Sequence, residues 1–469
     1  MHTPSWLTRD ILWLPLSELS TLFGFALALV LLAQVLRSNR PPQSTIAWLL
    51  TIILLPYIGV PLYLTLGGRK NLRMARRKAP VYTRHQFPAG GGAERILSSF
   101  GVPPASQGNR VELLTSGVDA YHALCRVIDS AQRTLHVTSY ILGCDAVGEA
   151  IVARLALRAS QGVEVRVLLD DLGSWRVRRK FLDPLVKAGG RAAFFMPVIH
   201  WPFRGRANLR NHRKIVVADG VLALTGGMNL AHEYLGPTPD PDRWRDVSLV
   251  VEGPAAFDLE SLFWSDWTFT TGEVLPESRE RPTASAAPEG TTTRVQVVAS
   301  GPDVQGDPLY ESLISLLFAA QERIWVVTPY FVPDEILSRA LELAARRGVD
   351  VRIVIPHRSN HLSADLARVG YLRQIEQAGG KILRYKPVMV HAKVVIVDRE
   401  LAVVGSANMD MRSLFLNYEV ALFLFSRERV AEAEQWLEAL MSRCKPGLTP
   451  VSWPREIAEN VVRLLSPLL

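Results

Sequence analysis

The strongest hydrophobic pattern lies near the amino terminus, where two long runs contain no charged residue. They cover residues 19–36 and 45–67 and are almost wholly apolar. A helix needs about 20 such residues to cross a hydrocarbon core about 30 Å thick. Pro56 and Pro61 interrupt the second run, and membrane helices tolerate proline better than soluble helices do. The pattern predicts a membrane region at residues 1–78, with a hairpin of two transmembrane helices at about 19–36 and 45–67.

Charged residues around these runs indicate an orientation. From Arg69 to Lys78 there are six basic residues and no acidic one, which favours a cytoplasmic location for this end of the second run. The turn between the runs also carries Arg37 and Arg40, so the asymmetry is modest. The alternative is a secretory signal followed by a buried helix, but two long runs stand in tandem without a cleavage motif. We therefore expect the globular part of the chain on the cytoplasmic side, with a basic run that attracts anionic lipid headgroups.

The remainder of the chain contains two segments that repeat each other. HRKIVVADGVLALTGGMN at residues 212–229 aligns without a gap to HAKVVIVDRELAVVGSAN at residues 391–408. Apolar runs with β-branched residues predict strands, and stretches with helical spacing lie between them. This alternation in two copies predicts a duplicated α/β protein whose halves pack face to face around one composite site. The predicted boundaries are a linker at 79–110, a first half at 111–270, a linker at 271–295 and a second half at 296–469.

Each aligned segment brings a histidine, a lysine and an asparagine together. Residues two apart in a strand share a face, so each histidine lies beside the lysine that follows it. If each segment forms a hairpin, the return strand brings the asparagine back to the same place. The residues are His212, Lys214 and Asn229 in the first half and His391, Lys393 and Asn408 in the second. Two lysines and two amides can bind a phosphate, one imidazole can attack phosphorus, and the other can transfer a proton.

Two further pairs of carboxylates occupy matching places in the repeat. Asp219 and Asp398 stand an odd number of positions from their histidines, so we expect them to stabilise the hairpin turns. A catalytic histidine usually needs its second nitrogen held by a carboxylate or a carbonyl group. Asp246 and Glu419 each open the strand that follows a hairpin. Each is therefore predicted to orient the histidine of its own half.

Composition narrows the chemistry further. The net charge of +8 and the pI of about 9.5 favour anionic partners, which include nucleic acid, anionic lipid and phosphorylated substrates. The three cysteines contain no CxxC spacing and form neither a disulfide framework nor a zinc motif. Lysine is not a usual metal ligand, and no His, Cys or Glu cluster has metal spacing, so we expect no metal or other cofactor.

The two HxKxxxxD motifs, each followed by G-[GS]-x-N, make the chain similar to the phospholipase D superfamily. The paired apolar runs, the STIAWLL and LPYIGVPLYLTLGGRK stretches and the closing RLLSPLL resemble those of bacterial cardiolipin synthases. The resemblance covers essentially the whole chain. It implies two α/β/α sandwich halves packed around one shared active site, a phosphohistidine intermediate and independence from metals.

The resemblance also implies roles for individual residues. The catalytic set would be His212, Lys214, Asp219, His391, Lys393 and Asp398, the phosphate-binding set Lys214, Asn229, Lys393 and Asn408, and the histidine-orienting pair Asp246 and Glu419. The histidine of the first half would be the nucleophile and that of the second half the general acid and base. The second copy has Ser406 where the first has Gly227, so any hydroxyl contact at this position is one-sided.

The implied reaction joins two phosphatidylglycerol molecules into cardiolipin and glycerol at the bacterial cytoplasmic membrane. Alternatives are a hydrolase that releases phosphatidic acid, a transferase that takes phosphatidylethanolamine as one substrate, a nuclease, and a scaffold with an inactive site. The membrane runs count against a nucleic-acid partner, and the two intact motifs count against a scaffold. The sequence leaves the oligomeric state open.

A basic stretch just before the first motif suggests a surface that admits anionic lipid. In WPFRGRANLR, which ends at residue 210, arginines alternate with aromatic and small residues. The alternative is an ordinary solvated basic loop. The candidate residues of this basic lip are Arg204, Arg206 and Arg210.

Overall fold

The structure is a computed structural model. It describes residues 24–36, 42–66, 78–82, 90–177, 179–197, 209–274 and 293–448, together with residues 453, 457 and 459. The chain forms two compact units, an N-terminal unit that ends at Arg69 and a larger unit that begins at Lys70.

Three helices form the described part of the N-terminal unit. They are α1 (residues 24–36), α2 (Pro42–Leu54) and α3 (Pro56–Leu66). The second predicted span is therefore two helices, because Leu55 precedes Pro56 and the residue before a proline disfavours the helical conformation. Among the residues described, no helix combines the length and the apolarity that crossing a membrane requires. Residues 19–23 of the first predicted span lie outside the described residues.

The first half of the larger unit alternates strands and helices, and α4 (Gly92–Ser99) precedes it. Its strands are β1 (Ser106–Leu114), β2 (Thr134–Ser139), β3 (Glu164–Asp170), β4 (Arg191–Phe195), β5 (Ile215–Ala218), β6 (Leu222–Gly226) and β7 (Ser248–Glu252). Its helices are α5 (Gly117–Ser130), α6 (Ala146–Ser160), α7 (Arg179–Lys187) and α8 (Pro254–Thr271). Ser116 and Asp145 begin α5 and α6 because their side-chain oxygens accept N–H groups of the first turn.

The second half repeats this order. Its strands are β8 (Thr293–Ser300), β9 (Arg323–Val327), β10 (Phe331–Val332), β11 (Asp350–Pro356), β12 (Lys381–Tyr385), β13 (Val394–Val397), β14 (Leu401–Gly405), β15 (Met409–Asp410), β16 (Glu419–Phe425) and β17 (Cys444–Pro446). Its helices are α9 (Pro308–Ala319), α10 (Glu335–Arg346), α11 (Leu362–Gln377), α12 (Met411–Phe415) and α13 (Arg427–Met441).

One sheet of 15 strands runs through both halves, in the order β17-β12-β11-β9-β13-β14-β16-β8-β1-β7-β6-β5-β2-β3-β4. Read outward from its middle, β1-β7-β6-β5-β2-β3-β4 repeats β8-β16-β14-β13-β9-β11-β12, as the duplication predicts. Strands β1 and β8 pair antiparallel, with Asn109 opposite Thr293. The halves therefore join edge to edge rather than face to face as predicted, because each half leaves the edge of its first strand open for pairing.

The central apolar cluster takes side chains from both halves. It includes Val217 and Val251 of the first half and Leu422 of the second, together with Leu259 of α8 and Leu437 of α13. Each of these side chains is fully buried. This shared cluster also includes side chains of β5 and β13, the strands that follow the two histidine motifs.

The first predicted linker, residues 79–110, contains ordered elements. Helix α4 buries Leu97, and β1 already begins at Ser106. Lys78, which the sequence assigned to the membrane region, is buried in the larger unit. Of the second predicted linker, residues 275–292 lie outside the described part of the chain.

Candidate active site

Both predicted hairpins are present, and each presents its motif at the same end of the sheet. His212 and Lys214 directly precede β5, which pairs antiparallel with β6. His391 and Lys393 directly precede β13, which pairs antiparallel with β14. In both cases the short return strand follows a three-residue turn, residues 219–221 and 398–400, so the motif and the end of the return strand come together.

Each histidine backbone is held by the opposite half. The N–H of His212 donates to the carbonyl oxygen of Tyr418 at 2.9 Å, and the N–H of His391 donates to that of Arg245 at 2.7 Å. Short parallel bridges at Asn211 and at Val390 extend this pairing. The residues just before each histidine therefore pair with the residues just before the carboxylate of the other half.

The carboxylates that contact the two histidines also come from the opposite half. Asp246 Oδ2 lies 2.6 Å from Nδ1 of His391, and Glu419 Oε1 lies 3.4 Å from Nδ1 of His212. The predicted pairing of Asp246 with His212 and of Glu419 with His391 is therefore wrong. The physical reason is the backbone pairing between the halves, because the residue bound to the His212 N–H, Tyr418, directly precedes Glu419 in the chain. The residue bound to the His391 N–H, Arg245, likewise directly precedes Asp246.

The electrostatics of the two carboxylates differ. Burial opposes ionisation of Asp246, but the charges of Lys393 and His391 outweigh it, so the pKa of Asp246 is lowered. Burial raises the pKa of Glu419 to about 7, although Lys214 and a hydrogen bond from Ser406 oppose this shift. Asp246 is therefore ionised at neutral pH and can accept a hydrogen bond from Nδ1–H of His391.

The residue after the return strand is Gly227 in the first half and Ser406 in the second, and the reason for this difference is steric. A Cβ atom at Gly227 would lie 2.1 Å from Asp246 Oδ1, so any side chain there would displace that carboxylate. In the second half Ser406 is accommodated, and its hydroxyl bonds the longer Glu419. The hydroxyl contact anticipated at this position is therefore present in the second half, and in the first half the carboxylate takes its place.

The motif lysines lie against their own histidines. Lys214 Nζ donates to the carbonyl oxygen of His212 at 2.8 Å. Lys393 Nζ donates to the carbonyl oxygen of His391 and lies 2.6 Å from its Nδ1. Burial lowers the pKa of Lys393 to about 7 against the opposing charge of Asp246, and burial also lowers the pKa of Lys214 against that of Glu419. Ammonium groups in such a dry site are stabilised when an anion joins them.

The imidazoles favour the neutral form at neutral pH. Burial, followed by the charge of Lys393, lowers the pKa of His391 to about 4. Burial, followed by the charge of Lys214, lowers the pKa of His212 well below its usual value. The His212 side chain is 20% exposed and that of His391 10%. Both rings are therefore neutral and partly accessible from outside, and Lys393 Nζ also lies 3.2 Å from Nε2 of His391.

The two asparagines are buried beside the motifs. Asn229 Oδ1 accepts the N–H of Ile141 at 3.2 Å, and Asn408 Nδ2 donates to Ser413 Oγ at 3.1 Å. These contacts fix the position of each amide at the end of its return strand. Phosphate binding by Asn229 and Asn408 stays a prediction.

The motif aspartates belong to the turns and not to the reacting centre. Asp219 accepts the N–H groups of Gln132, Arg133 and Thr134, and Asp398 accepts those of the equivalent residues 321–323. Both aspartates have a positive φ, of 55° and 51°. Asp219 lies beyond the full length of β5, about 15 Å from Lys214. This position agrees with the expectation that the two aspartates stabilise the hairpin turns. It does not agree with the catalytic role that the resemblance implies.

Arg210 does not belong to a surface lip. Its side chain is 1% exposed, and it binds Asp170 at 3.3 Å and the carbonyl oxygen of Met196 at 2.9 Å. An arginine this deeply buried needs a carboxylate partner and gives no surface to lipid. Arg204 and Arg206 lie outside the described residues, so the lip hypothesis for these two stays a prediction.

Aromatic side chains line the histidines, and the sequence reasoning missed them. The ring of Tyr140 lies 4.0 Å from that of His212. The rings of Tyr234, Trp244 and Tyr330 lie 5.1, 5.4 and 6.5 Å from that of His391. A signal was present, because Tyr140 and Tyr330 occupy the same place in the repeated segments TSYI and TPYF. They exclude water from the imidazoles and help to lower the histidine pKa values by burial.

In the described part of the chain, no group of three or more His, Cys, Asp or Glu side chains is arranged to hold a metal ion. The candidate site instead offers two imidazoles, two ammonium groups and two buried carboxylates from opposite halves. Such a set can bind an anionic phosphodiester, attack its phosphorus and transfer protons.

Comparison with known proteins identifies families and a fold that match this chain. Residues 124–267 and 313–441, together more than half of the chain, match the family described as "Cardiolipin synthase, PLD-like domain". Residues 26–68 match the family described as "Phospholipase D-nuclease N-terminal". A crystal structure of phosphatidylserine synthase from Haemophilus influenzae Rd KW20 covers 80% of this chain and 100% of its own, with a TM-score of 0.60 at 16% identity. That likeness shows a shared fold.

Curated relatives match over nearly the full length. Cardiolipin synthase 1 from Bacillus cereus is 34% identical, over 92% of this chain and 90% of its own. Cardiolipin synthase from Geobacillus thermodenitrificans is also 34% identical, over the same shares. With the duplicated sheet and the paired histidine motifs, these matches show that the chain belongs to the cardiolipin synthase family of phospholipase D-like proteins.

Proposed function

We propose that this protein is a cardiolipin synthase, a phosphatidyltransferase that joins two phosphatidylglycerol molecules into cardiolipin and glycerol. The observation that carries the proposal is the crossed arrangement of two histidines, each held by a carboxylate of the other half. A transfer between two alcohols needs one nucleophile and one group that first gives and then takes a proton. Two equivalent but differently tuned imidazoles suit this division.

The donor phosphodiester binds between the motif lysines. Lys214 and Lys393 supply positive charge, and Asn229 and Asn408 supply amide donors. The added negative charge offsets the lysine repulsion that contributes to the low pKa of His391, so that pKa rises on binding. A protonated His391, paired with the ionised Asp246, can then act as a general acid.

In the first step His212 Nε2 attacks phosphorus. The bond from phosphorus to the headgroup glycerol oxygen breaks, and His391 gives its proton to that oxygen. Glycerol leaves, and the phosphatidyl group stays on His212. Glu419 accepts a hydrogen bond from Nδ1–H and balances the positive charge on the substituted ring.

In the second step another phosphatidylglycerol takes the place of glycerol. Its terminal hydroxyl gives a proton to His391, and its oxygen attacks phosphorus. The bond from phosphorus to His212 breaks, and cardiolipin leaves. His212 is neutral again and His391 is protonated, so the cycle closes without any cofactor.

The same proposal includes a membrane location for the N-terminal unit. Apolar side chains on its helices are more than half exposed, among them Phe25, Leu29, Ile53 and Tyr57. Such surfaces are unfavourable in water and favourable in lipid. We propose that the two predicted spans, the second of which consists of α2 and α3, form a transmembrane hairpin in the bacterial cytoplasmic membrane, with the larger unit on the cytoplasmic side and anionic lipid as its partner.

Product analysis tests the function. Purified full-length protein is mixed with phosphatidylglycerol vesicles in the presence of a chelator, beside His212→Ala and His391→Ala variants. Cardiolipin and glycerol, formed by the unaltered protein alone, support the proposal. If phosphatidic acid forms instead, the protein is a hydrolase. If a product forms only when phosphatidylethanolamine is added, that lipid is one of the two substrates.

A further inference from the structure

A cluster of four charged side chains is buried beside the first histidine motif. We call it the buried charge cluster, and its members are Lys78, Arg213, Asp266 and Asp303. None of the four side chains is more than 1% exposed. Arg213 stands between the two functional residues of the motif and alternates with them along the strand.

The four charged side chains of the cluster pair with one another. Arg213 Nη1 lies 2.8 Å from Asp266 Oδ1, and Nη2 lies 3.6 Å from Asp303 Oδ2. Lys78 Nζ lies 2.6 Å from Asp303 Oδ2 and also pairs with Asp266. Two cations and two carboxylates give a neutral total, which is what a buried set of charges requires.

The cluster supports both partners of the His212–Glu419 contact. Arg213 Nε donates to the carbonyl oxygen of Glu419 at 3.1 Å. Lys78 Nζ lies 4.7 Å from the ring centre of Tyr418, whose carbonyl oxygen accepts the N–H of His212. The cluster therefore includes the residue after His212 and contacts both residues that hold His212 from the opposite half.

The second motif lacks the arginine at the corresponding position. Its middle residue is Ala392, which is fully buried in the apolar core. The sequence shows the same difference, as HRK in the first motif and HAK in the second. The buried charge cluster is thus one feature that distinguishes the surroundings of His212 from those of His391.

Lys78 decides the charge balance of the cluster. Burial opposes the ionised form of Asp266, and the charges of Arg213 and Lys78 outweigh it, so the pKa of Asp266 is lowered. Without Lys78 two carboxylates would share one guanidinium in a buried site. A buried carboxylate that loses its cation takes up a proton or moves. Either change shifts Arg213 and Tyr418, and with them the ring of His212.

We propose that Lys78 is a positioning residue for His212, although it precedes both repeated halves in the chain. It acts by keeping the buried charge cluster neutral, so that Arg213 and Tyr418 hold Glu419 and His212 in register. The inference relies on the proposed function only for its activity assay.

The test compares Lys78→Met with a double variant, Lys78→Met with Asp303→Asn. The double variant removes one charge of each sign and leaves the cluster neutral. Leu97→Ala is the matched control, because Leu97 is equally buried, lies in the same N-terminal part of the larger unit and has no charged partner. Cardiolipin formation gives kcat and KM at a temperature where each variant is folded. The rate at which diethyl pyrocarbonate modifies His212 relative to His391, read by mass spectrometry, reports ring position without a lipid product.

We expect Lys78→Met to lower kcat by about 10- to 100-fold with little change in KM, as misplacement of a reacting group does. His212 should become more reactive relative to His391, and the double variant should recover most of kcat. Equal kcat in Lys78→Met and Leu97→Ala would overturn the inference. The inference would also be overturned if kcat of the double variant were as low as that of Lys78→Met. The same holds if Lys78→Met fails to fold and the double variant fails to fold as well. If the unaltered protein forms no cardiolipin, the proposed function fails, and the His212 modification ratio alone decides this inference.

Discussion

Asp246 and His391 belong to opposite halves of the duplicated unit, and a carboxylate oxygen of the first lies 2.6 Å from Nδ1 of the second. The reciprocal contact joins Glu419 to His212 at 3.4 Å. Each of the two motif histidines is therefore paired with a carboxylate of the opposite half. A duplication arranged in this way makes the reacting centre depend on the correct joining of β1 to β8 at the middle of the sheet.

The crossed pairing can be tested by double-mutant cycles on thermal stability. Asp246→Asn combined with His391→Ala should be non-additive by about 0.5–3 kcal/mol, because the two side chains are in contact. Asp246→Asn combined with His212→Ala should be additive to within about 0.5 kcal/mol. Thermal unfolding of the purified variants measures both cycles without any activity. The reverse pattern would mean that each carboxylate serves its own half.

The pH dependence of kcat/KM should report Lys393. Burial lowers the pKa of this lysine to about 7, and the charge of Asp246 opposes the shift. The ammonium group is charged below that pH, so kcat/KM should fall as the pH rises through about 7. Asp246→Asn removes a charge that raises the lysine pKa, and the fall should therefore move to lower pH.

Two controls belong to this pH profile. Asp219→Asn removes a carboxylate at the far end of β5 and should leave the position of the fall unchanged. Glu419 has a pKa raised to about 7 by burial, so the profile is also measured in Glu419→Gln. If the fall in kcat/KM disappears in Glu419→Gln, the titrating group is the Glu419 carboxylate and not Lys393.

The motif aspartates should matter for folding more than for chemistry. Asp219 accepts three backbone N–H groups at 2.7–2.8 Å. Asp219→Asn keeps a side chain that tolerates a positive φ but weakens these charge-assisted bonds, at a cost of about 1–3 kcal/mol. Chemical denaturation measures the loss of stability, and kcat below the unfolding temperature should stay close to that of the unaltered protein. A loss of kcat as large as that of His212→Ala would restore a catalytic role to Asp219.

Arg210 should behave as a core residue. Arg210→Met leaves Asp170 without its cation in a buried position, which typically costs about 3–5 kcal/mol of stability. Any remaining activity should fall by the same factor on anionic vesicles and on lipid dispersed in detergent. Arg204→Ala with Arg206→Ala is the contrasting pair, because the lip hypothesis predicts a larger loss on vesicles. A vesicle-specific loss in Arg210→Met would return this residue to the lip.

Local pattern was enough to predict much of the site. The alternation of His212 and Lys214, the return strand and the turn at Asp219 all lie within one hairpin. Hairpin geometry follows from neighbouring residues, because strand periodicity and turn type fix which side chains share a face. The repeat then transferred each of these predictions to the second half. The same repeat predicted two similar α/β halves.

Tertiary structure alone decided how the halves complete each other. Asp246 and His391 are 145 positions apart, and Lys78 and Asp266 are 188 positions apart. Their contacts depend on which edges of the half sheets pair and on how one core is shared, and no local periodicity records either choice. For the same reason the sequence placed Arg210 at the surface and Lys78 beside the membrane. Both side chains are buried because distant carboxylates neutralise them, and only the packed molecule brings those carboxylates within reach.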